Sequence, residues 1–207
     1  MSGGDVGPLG KDAVHELNKL FSWANSSRRG LILFIDEADA FLRSGRGSES
    51  GTMSEEARNV LSAFLHHTGT ESDKFVVVLA TNIREILDRA VLDRVDESFE
   101  FPLPSQGERR RMLEMFMEEH IHRPTRRGKV IEVDAGLDDS FLDDVAARTE
   151  GFSGRQLAKL VLAYQAAVFG SGTSRLTPGL AEAVLRYKLT YREEGLAQAS
   201  GNAVDYA

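Results

Sequence analysis

The 207-residue sequence contains no cysteine, so disulfide bonds and thiolate metal sites are excluded and the redox compartment is left open. No apolar run approaches the roughly 20 residues of a membrane-spanning helix. The first residues match neither a secretory signal peptide nor a transit peptide. A basic surplus is absent as well, because 32 acidic residues outnumber 25 basic ones and the formal net charge is −7. This balance argues against a protein that binds nucleic acid over a broad surface.

A phosphate-binding loop is also absent from the sequence. Such a loop has the pattern G-x-x-x-x-G-K-[ST], in which backbone N–H groups and the lysine hold the phosphates and the hydroxyl holds Mg²⁺. The nearest candidate ends at Gly10-Lys11, but Asp5 stands at its first glycine position and Asp12 at its hydroxyl position. Two carboxylates would face a polyanion there, so this stretch is predicted to be a flexible loop.

The first half of the chain alternates helical and strand patterns. Two fully apolar runs, at residues 31–35 and 75–80, predict strands buried on both faces. Helical spacing of apolar residues precedes and separates them. The alternating run SFEF at residues 98–101 predicts a further strand. This order predicts an α/β fold with a parallel sheet and helices on its faces.

The second half reads as a small helical bundle. The PLPS stretch at residues 102–105 marks the boundary, and Ser105 with Glu108 forms a capping box that starts a helix. Further helical patterns follow, the last of them near residues 178–193. We therefore expect an α/β part at residues 1–103, a helical part at 104–193 and a tail at 194–207.

Two adjacent carboxylates, Asp36 and Glu37, follow the first apolar strand in the stretch LILFIDEADAF. Ligands of parallel α/β sheets bind at the carboxyl ends of the strands. Phosphoryl transfer needs a carboxylate that holds Mg²⁺ and a group that positions the attacking water. Asp36 suits the first role and Glu37 the second. The alternative is that both acids only stabilise the start of the next helix.

The second apolar strand ends in Thr81-Asn82, within VVVLATN. An asparagine there can orient a water or contact a terminal phosphate if the two strands are neighbours. On its own, an asparagine after a strand is usually a turn residue. Its pairing with the two acids makes it a candidate site residue.

These motifs together resemble the AAA+ ATPases. LFIDEADAF resembles Walker B, LATN resembles sensor 1, LDRAVLDRVDESFEFPLP resembles the second region of homology, and TEGFSGRQLAKL resembles the sensor 2 helix of a helical lid. The resemblance implies ATP and Mg²⁺ as cofactors, with Asp36 as the metal ligand. It implies Glu37, Asn82 and Arg94 as catalytic residues. It also implies that Asp36, Glu37, Asn82 and Arg155 bind the nucleotide, with Arg155 contacting the γ-phosphate from the lid.

Arg94 corresponds to the arginine finger of that family, which enters the nucleotide site of a neighbouring subunit. Family members commonly carry a second arginine three positions later, where this chain has Glu97. Activation in trans would therefore depend on Arg94 alone. The alternative for Arg94 and Arg155 is that each is an ordinary surface residue.

A narrower resemblance extends over about residues 3–193. GGDVGPLG, KLFSWANSSRRGLILFIDEADAFLR and EGFSGRQLA are similar to the mitochondrial inner-membrane AAA-domain-containing protein 3 family. This implies a homo- or hetero-oligomeric ring, expected to be a hexamer, at the mitochondrial inner membrane or in the matrix, with roles in nucleoid and membrane organisation. GGDVGPLG would be the pore-loop region, and its Pro8-Leu9-Gly10 lacks the aromatic residue of substrate-threading relatives.

The family's phosphate-binding loop is expected some tens of residues before Met1, together with the segments through which it associates with membranes. We therefore expect this chain alone to be inactive, with no tight ATP binding. One alternative is a non-catalytic interaction module that joins rings of full-length subunits. Another is a DEAD-box RNA helicase, suggested by IDEAD but disfavoured by ATN in place of S-A-T. Direct nucleic-acid binding is not expected, and the remodelled substrate is not indicated by the sequence.

Overall fold

The computed structural model describes residues 12–43, 54–123 and 130–204, with side chains through residue 194. The chain divides between Phe99 and Glu100 into two compact units. The first unit combines a parallel sheet with helices, and the second is mainly helical. This arrangement confirms the predicted α/β fold followed by a helical part. Among the described helices, none is long and apolar enough to cross a membrane.

The first unit is built around a two-stranded parallel sheet. Leu31 pairs with Phe75 at one end of the ladder and Ile35 with Leu79 at the other. Because parallel strands need a long crossover, the intervening chain includes helices. The elements of this unit are α1 (Ala13–Asn25), β1 (Leu31–Ile35), α2 (Asp39–Leu42), α3 (Glu55–His67), β2 (Phe75–Leu79), a 3₁₀ turn (Arg84–Ile86) and α4 (Arg89–Leu92).

Apolar residues at helical spacing bring α1 and α3 onto one face of the sheet. Leu17 and Phe21 of α1 are buried, as are Leu33 and Ile35 of β1. The Phe21 ring meets the Phe64 ring of α3 edge to face, with centroids 6.0 Å apart. Such edge-to-face pairs add to the stabilisation that burial already gives. The core of the first unit therefore lies between α1, α3 and the inner face of the sheet.

The prediction that both strands are buried on both faces is wrong. The outward-facing residues of β1 are exposed, with Ile32 at 71% and Phe34 at 52%. Their register partners in β2, Val76 and Val78, are exposed as well. An apolar run shows that both faces of a strand can be buried, but burial also requires a second layer. The described residues supply a layer on one face only.

The strand predicted at residues 98–101 is also wrong. No strand is present there, and Phe99 and Phe101 are 79% and 93% exposed. An alternating pattern forms a strand only where a neighbour accepts its N–H groups and donates to its carbonyls. Among the described residues, this segment has no such neighbour.

The second unit is a helical bundle with a short parallel strand pair. Ser105 N–H donates to Glu108 Oε2 at 2.8 Å, which confirms the predicted capping box. Leu113, Leu160 and Leu185 are fully buried where helices of the unit meet. The elements are α5 (Gln106–Met117) with a π-helical turn (Glu118–His122), β3 (Glu132–Val133), α6 (Asp139–Arg148), α7 (Gly154–Ser171), β4 (Arg175–Leu176) and α8 (Pro178–Val204).

An ion pair fastens α6 to α8 in this unit. Arg148 donates from both terminal nitrogens to Glu182, at 2.8 and 3.0 Å. These hydrogen bonds, with a further one from Arg186, lower the pKa of Glu182 to about 2. The last helix, predicted near residues 178–193, continues to Val204.

Candidate functional site

The carboxyl ends of β1 and β2 lie side by side, and this brings the predicted acids and the predicted asparagine to one edge. Ala80 N–H donates to the Ile35 carbonyl at 2.9 Å, and Ala38 N–H donates to the Ala80 carbonyl at 2.9 Å. The ladder therefore continues one step beyond each strand. Asp36 and Glu37 follow the end of β1 in this ladder. Thr81 and Asn82 follow the end of β2.

Asp36 and Glu37 form a tight turn at this edge. Asp36 Oδ1 accepts a hydrogen bond from Glu37 N–H at 2.9 Å. Glu37 has a φ of 51°, in the left-handed region that residues with a side chain rarely adopt. Both acids are exposed to solvent. Strained backbone of this kind is concentrated at functional sites.

The alternative, that the two acids only stabilise the start of the next helix, concerns α2. The N-cap of α2 is Ala38, whose side chain makes no capping hydrogen bond. Asp36 Oδ1 accepts from the N–H of Glu37, which directly precedes this N-cap. Both acids therefore lie next to the helix start, where their negative charge also favours the helix.

A link between the two loops was missed by the sequence argument. Thr81 Oγ1 donates to Asp39 Oδ1 at 2.6 Å in a partly buried position. The same hydroxyl accepts a hydrogen bond from Ile83 N–H at 3.1 Å. Asn82 therefore lies between Thr81 and Ile83 in a short loop. The hydrogen bond from the Ile83 N–H to the Thr81 hydroxyl closes this loop. The available signal was the third acid of IDEAD facing the threonine of ATN, once the two strands were taken as neighbours.

Arg94 lies just beyond α4 and is exposed. Its Nη1 donates to the Ala90 carbonyl at 2.6 Å, so the guanidinium lies against the preceding helix α4. The start of α4 is fixed by Asp88, whose Oδ1 accepts from Ala90 N–H at 2.9 Å and whose N–H donates to the Leu42 carbonyl at 2.7 Å. The end of α2 therefore sets the place of α4, and with it the place of Arg94. The position Glu97 is exposed.

Arg155 belongs to the second unit, in the first turn of α7. The start of this helix is a capping box, with Ser153 N–H donating to Gln156 Oε1 at 2.8 Å. Arg155 is exposed and forms no ion pair with a described residue. A helix amino terminus carries partial positive charge, which adds to that of the guanidinium. This position suits an anionic ligand such as a terminal phosphate.

The donor set at the carboxyl edge fits a magnesium ion that is shared with phosphates. Mg²⁺ is usually held by one or two carboxylates, with waters and substrate phosphates completing its shell. Asp36 offers such a carboxylate. No cluster of three or more histidine, aspartate or glutamate ligands occurs in the part of the chain that the structure describes. A sparse, phosphate-assisted site therefore matches these residues better than a closed metal cage.

The predicted pore-loop region, GGDVGPLG at residues 3–10, lies outside the described residues. Its role stays a prediction from the sequence. What the absence of an aromatic residue at Pro8-Leu9-Gly10 means for substrate threading also stays a prediction from the sequence.

Comparison with known proteins gives the family. The family model of the AAA domain, the ATPase family associated with various cellular activities (AAA), matches residues 1–103. The chain is 44% identical over 187 residues to ATPase family AAA domain-containing protein 3 of Bos taurus, which covers 88% of this chain and 31% of that protein. It is 45% identical over 184 residues to ATPase family AAA domain-containing protein 3A of Homo sapiens, covering 87% and 30%.

A third relative gives a similar result. The chain is 44% identical over 185 residues to ATPase family AAA domain-containing protein 3 of Caenorhabditis elegans, covering 88% of this chain. The chain spans about 31% of the length of that relative. The matched family region contains Asp36, Glu37, Asn82 and Arg94. The chain belongs to the AAA family of ATPases and is similar to its AAA domain-containing protein 3 members.

Proposed function

We propose that this chain supplies the Walker B, sensor 1 and arginine-finger parts of an ATP-hydrolysing ring. The observation that carries the proposal is the continued ladder through Ile35, Ala38 and Ala80, which sets Asp36 and Glu37 beside Thr81 and Asn82. A nucleotide in an α/β sheet binds at this edge. AAA proteins generally assemble into rings, and the family match extends that expectation to this chain.

Each residue at the edge has a role in this proposal. Asp36 would hold Mg²⁺, which would supply positive charge to the phosphates. Glu37 accepts a hydrogen bond from the attacking water and orients its oxygen toward the terminal phosphate. Asn82 offers an amide to the same water or to a phosphate oxygen. Thr81 and Asp39 act as positioning residues, since their hydrogen bond joins the loops that carry Asn82 and Glu37.

The two arginines act on the terminal phosphate from outside the edge. Arg155 contacts the phosphate from the helical lid. Arg94 leaves the Ala90 carbonyl and reaches the nucleotide of a neighbouring subunit, where a guanidinium stabilises the charge of the transition state. The hydrogen bond that Arg94 gives up is exposed, so its loss costs about 1 kcal/mol or less.

The cellular setting is proposed from the family resemblance. We propose a homo- or hetero-oligomeric ring, expected to be a hexamer, at the mitochondrial inner membrane or in the matrix, with a part in nucleoid and membrane organisation. Membrane association would come from segments that are not in this sequence. The DEAD-box alternative is disfavoured by the AAA family match and by the helical second unit.

We also propose that this chain alone does not turn over ATP. The sequence contains no phosphate-binding loop motif, and the carboxylates at Asp5 and Asp12 would repel a triphosphate. A second candidate function then follows, in which the chain joins rings of full-length relatives and lends them Arg94. Two observations together favour it: Arg94 is exposed, and the sequence lacks a phosphate-binding loop motif.

The test measures ATP binding by calorimetry and ATP hydrolysis, first for this chain and then for mixtures with a full-length member of the AAA domain-containing protein 3 family. We expect no hydrolysis and at most millimolar-range binding by the chain alone, with altered hydrolysis in the mixture. Arg94→Ala should abolish that alteration. Arg89→Ala, an exposed arginine on the adjoining helix α4, is the control and should leave it intact. Turnover by the chain alone that is lost in Glu37→Gln would contradict the proposed inactivity.

A further inference from the structure

The loop between α6 and α7 leads directly into the helical turn that carries Arg155. It begins at Thr149, which is fully buried, and Phe152 N–H donates to the Thr149 carbonyl at 3.0 Å. Ser153 then caps α7. Arg155 follows this cap by two residues, so its position depends on how the loop before it is held.

Gly151 lies in the middle of this loop in a conformation that favours glycine. Its φ is 73°, in the left-handed region, which a residue with a side chain rarely adopts. A Cβ at this position would overlap the guanidinium of Arg192 in α8 and would lie only 3.3 Å from its Cζ. The lack of a side chain at Gly151 therefore permits the turn and also makes room for Arg192.

Arg192 contacts the loop at two points. Its Nη2 donates to the Gly151 carbonyl at 3.1 Å in a partly buried position. Its guanidinium also lies over the Phe152 ring, with Cζ 5.2 Å from the ring centroid, and Phe152 is only 3% exposed. A cation over an aromatic face is attracted to the ring, more strongly where water is excluded. Arg192 therefore joins both the backbone and a buried side chain of the loop to α8.

The partners of Arg192 differ from those of other arginines in the second unit. Arg110 and Arg148 each bind carboxylates of residues far away in sequence. Arg192 forms no ion pair with a described residue. A planar guanidinium can donate to a carbonyl and stack on a ring at the same time. These contacts indicate that Arg192 supports the loop and does not serve to neutralise an acid.

We propose that Arg192 is a positioning residue for Arg155. By holding the Gly151 carbonyl and covering the Phe152 ring, it fixes the loop that enters α7. It thereby fixes the place from which Arg155 reaches the terminal phosphate. This inference rests on the proposed function, in which Arg155 contacts that phosphate, and it adds that α8 determines how well the contact is made.

The test follows the Arg155 guanidinium by NMR of the full, nitrogen-labelled chain while ATP with Mg²⁺ is raised into the millimolar range. The variant Arg192→Met removes the hydrogen bond and the cation but keeps an unbranched side chain. We expect ATP to shift the Arg155 Nε–H signal, with an apparent affinity about three- to tenfold weaker in the variant. Lys188→Met removes the same charge one helical turn earlier in α8 and should leave the affinity unchanged.

Gly151→Ala tests the same contact without a change of charge. Its Cβ would displace the Arg192 guanidinium, so we expect a similar loss of affinity. Because the two substitutions break one contact, Gly151→Ala combined with Arg192→Met should bind about as weakly as Gly151→Ala alone. Losses that multiply in the double variant would show that the two residues act independently, and they would overturn the proposal.

A measurement without ATP reports on the loop directly. The amides of Phe152 and Gln156 are hydrogen-bonded at the two ends of the turn that enters α7. Their hydrogen exchange should accelerate in Arg192→Met and stay unchanged in Lys188→Met. The Leu160 amide, farther along α7, should stay protected in both variants. A loss of protection at Leu160 as well would show general support of the fold, and it would overturn a role in positioning.

The two measurements separate failure of this inference from failure of the proposed function. If ATP leaves the Arg155 signal unmoved in the unaltered chain, the lid contact of the proposed function is wrong, and the inference falls with it. If the signal moves with the same affinity in Arg192→Met, or if loop exchange is unchanged in that variant, only the role of Arg192 is overturned.

Discussion

In the second unit, apolar side chains from α5, α6, α7 and α8 face one another and bury a continuous core, and ion pairs such as Arg148 with Glu182 join helices far apart in sequence. In the first unit, α1 and α3 cover the sheet on one face, and the ion pairs among its described residues, Lys19 with Glu16 and Lys74 with Asp73, are local and exposed. The stabilisation of a folded unit increases with the apolar area that it buries. The lesson is that a strand sequence can be suited to burial on two faces while its own unit buries one.

The largest effect expected from this difference comes from truncating one apolar residue in each unit, buried in the second unit and exposed in the first. Leu160 of α7 is fully buried, so Leu160→Ala should lower the free energy of unfolding of the second unit by about 2–5 kcal/mol. Ile32→Ala removes an exposed side chain from β1 and should cost about 1 kcal/mol or less in the first unit. Hydrogen exchange read by mass spectrometry reports the two units separately.

This experiment belongs at low protein concentration, so that contacts between chains do not affect the exchange rates. Exchange of α7 amides should accelerate strongly in Leu160→Ala while β1 and β2 amides change little. An Ile32→Ala variant that destabilises the first unit as much as Leu160→Ala destabilises the second would show that the outer face of β1 is covered in solution.

The next effect concerns the hydrogen bond that joins the two loops at the carboxyl edge. Thr81→Val removes the hydroxyl that donates to Asp39 and accepts from Ile83, and it leaves a partly buried carboxylate without that donor. We expect a loss of about 1–2 kcal/mol in the first unit. Thr81→Ser keeps the hydroxyl and is the matched control. The measurement is the exchange rate of the Ile83 amide, which should rise in the valine variant and stay near its original value in the serine variant.

The sequence predicted both strands and the acids and asparagine after them, because an apolar run followed by polar residues has few other readings in an α/β protein. It did not predict the link between Thr81 and Asp39, since these residues are 42 positions apart and meet only through the pairing of β1 with β2. It also failed at Ile32 and at the run 98–101. Apolar periodicity describes what a segment can bury, and the presence of a partner layer is not encoded in that segment.

A pH experiment measures how much the ion pair of Glu182 contributes to the stability of the second unit. The pKa of Glu182 is lowered to about 2, first by the hydrogen bonds from Arg148, so its folded-state pKa lies below its ordinary value of 4.5. Its contribution is therefore fully present above pH 4.5 and is lost as the pH falls toward 2. Glu182→Gln should destabilise the second unit by about 1 kcal/mol at neutral pH.

The difference between the unaltered chain and Glu182→Gln should shrink between pH 4.5 and 2. Urea unfolding followed by far-ultraviolet circular dichroism measures it, because most of the described helical residues belong to the second unit. Glu193→Gln, an exposed glutamate on the same helix with no ion pair among the described residues, is the control. A difference that stays constant over this pH range would contradict the assigned ion pair.

The smallest effect concerns the strained turn at Glu37. Its φ of 51° is unfavourable for a residue with a side chain, and glycine adopts it freely. Glu37→Gly removes the strain but adds freedom to the unfolded chain, and the two effects nearly cancel. We expect a net stabilisation of the first unit of about 0.5 kcal/mol or less. Glu37→Gln keeps the size of the side chain and the backbone strain, and it serves as the control for loss of the carboxylate charge.

Both variants should remove the contribution of Glu37 to ATP hydrolysis in any assembly that the chain completes, while only glycine stabilises the fold. Comparing the two variants therefore separates the effect of the backbone strain at residue 37 on stability from the effect of its carboxylate on ATP hydrolysis. If Glu37→Gly destabilised the first unit by more than about 1 kcal/mol, the carboxylate would be holding the turn, and its position before α2 would be structural. A stable glycine variant without activity indicates that the strain is retained for the carboxylate it presents.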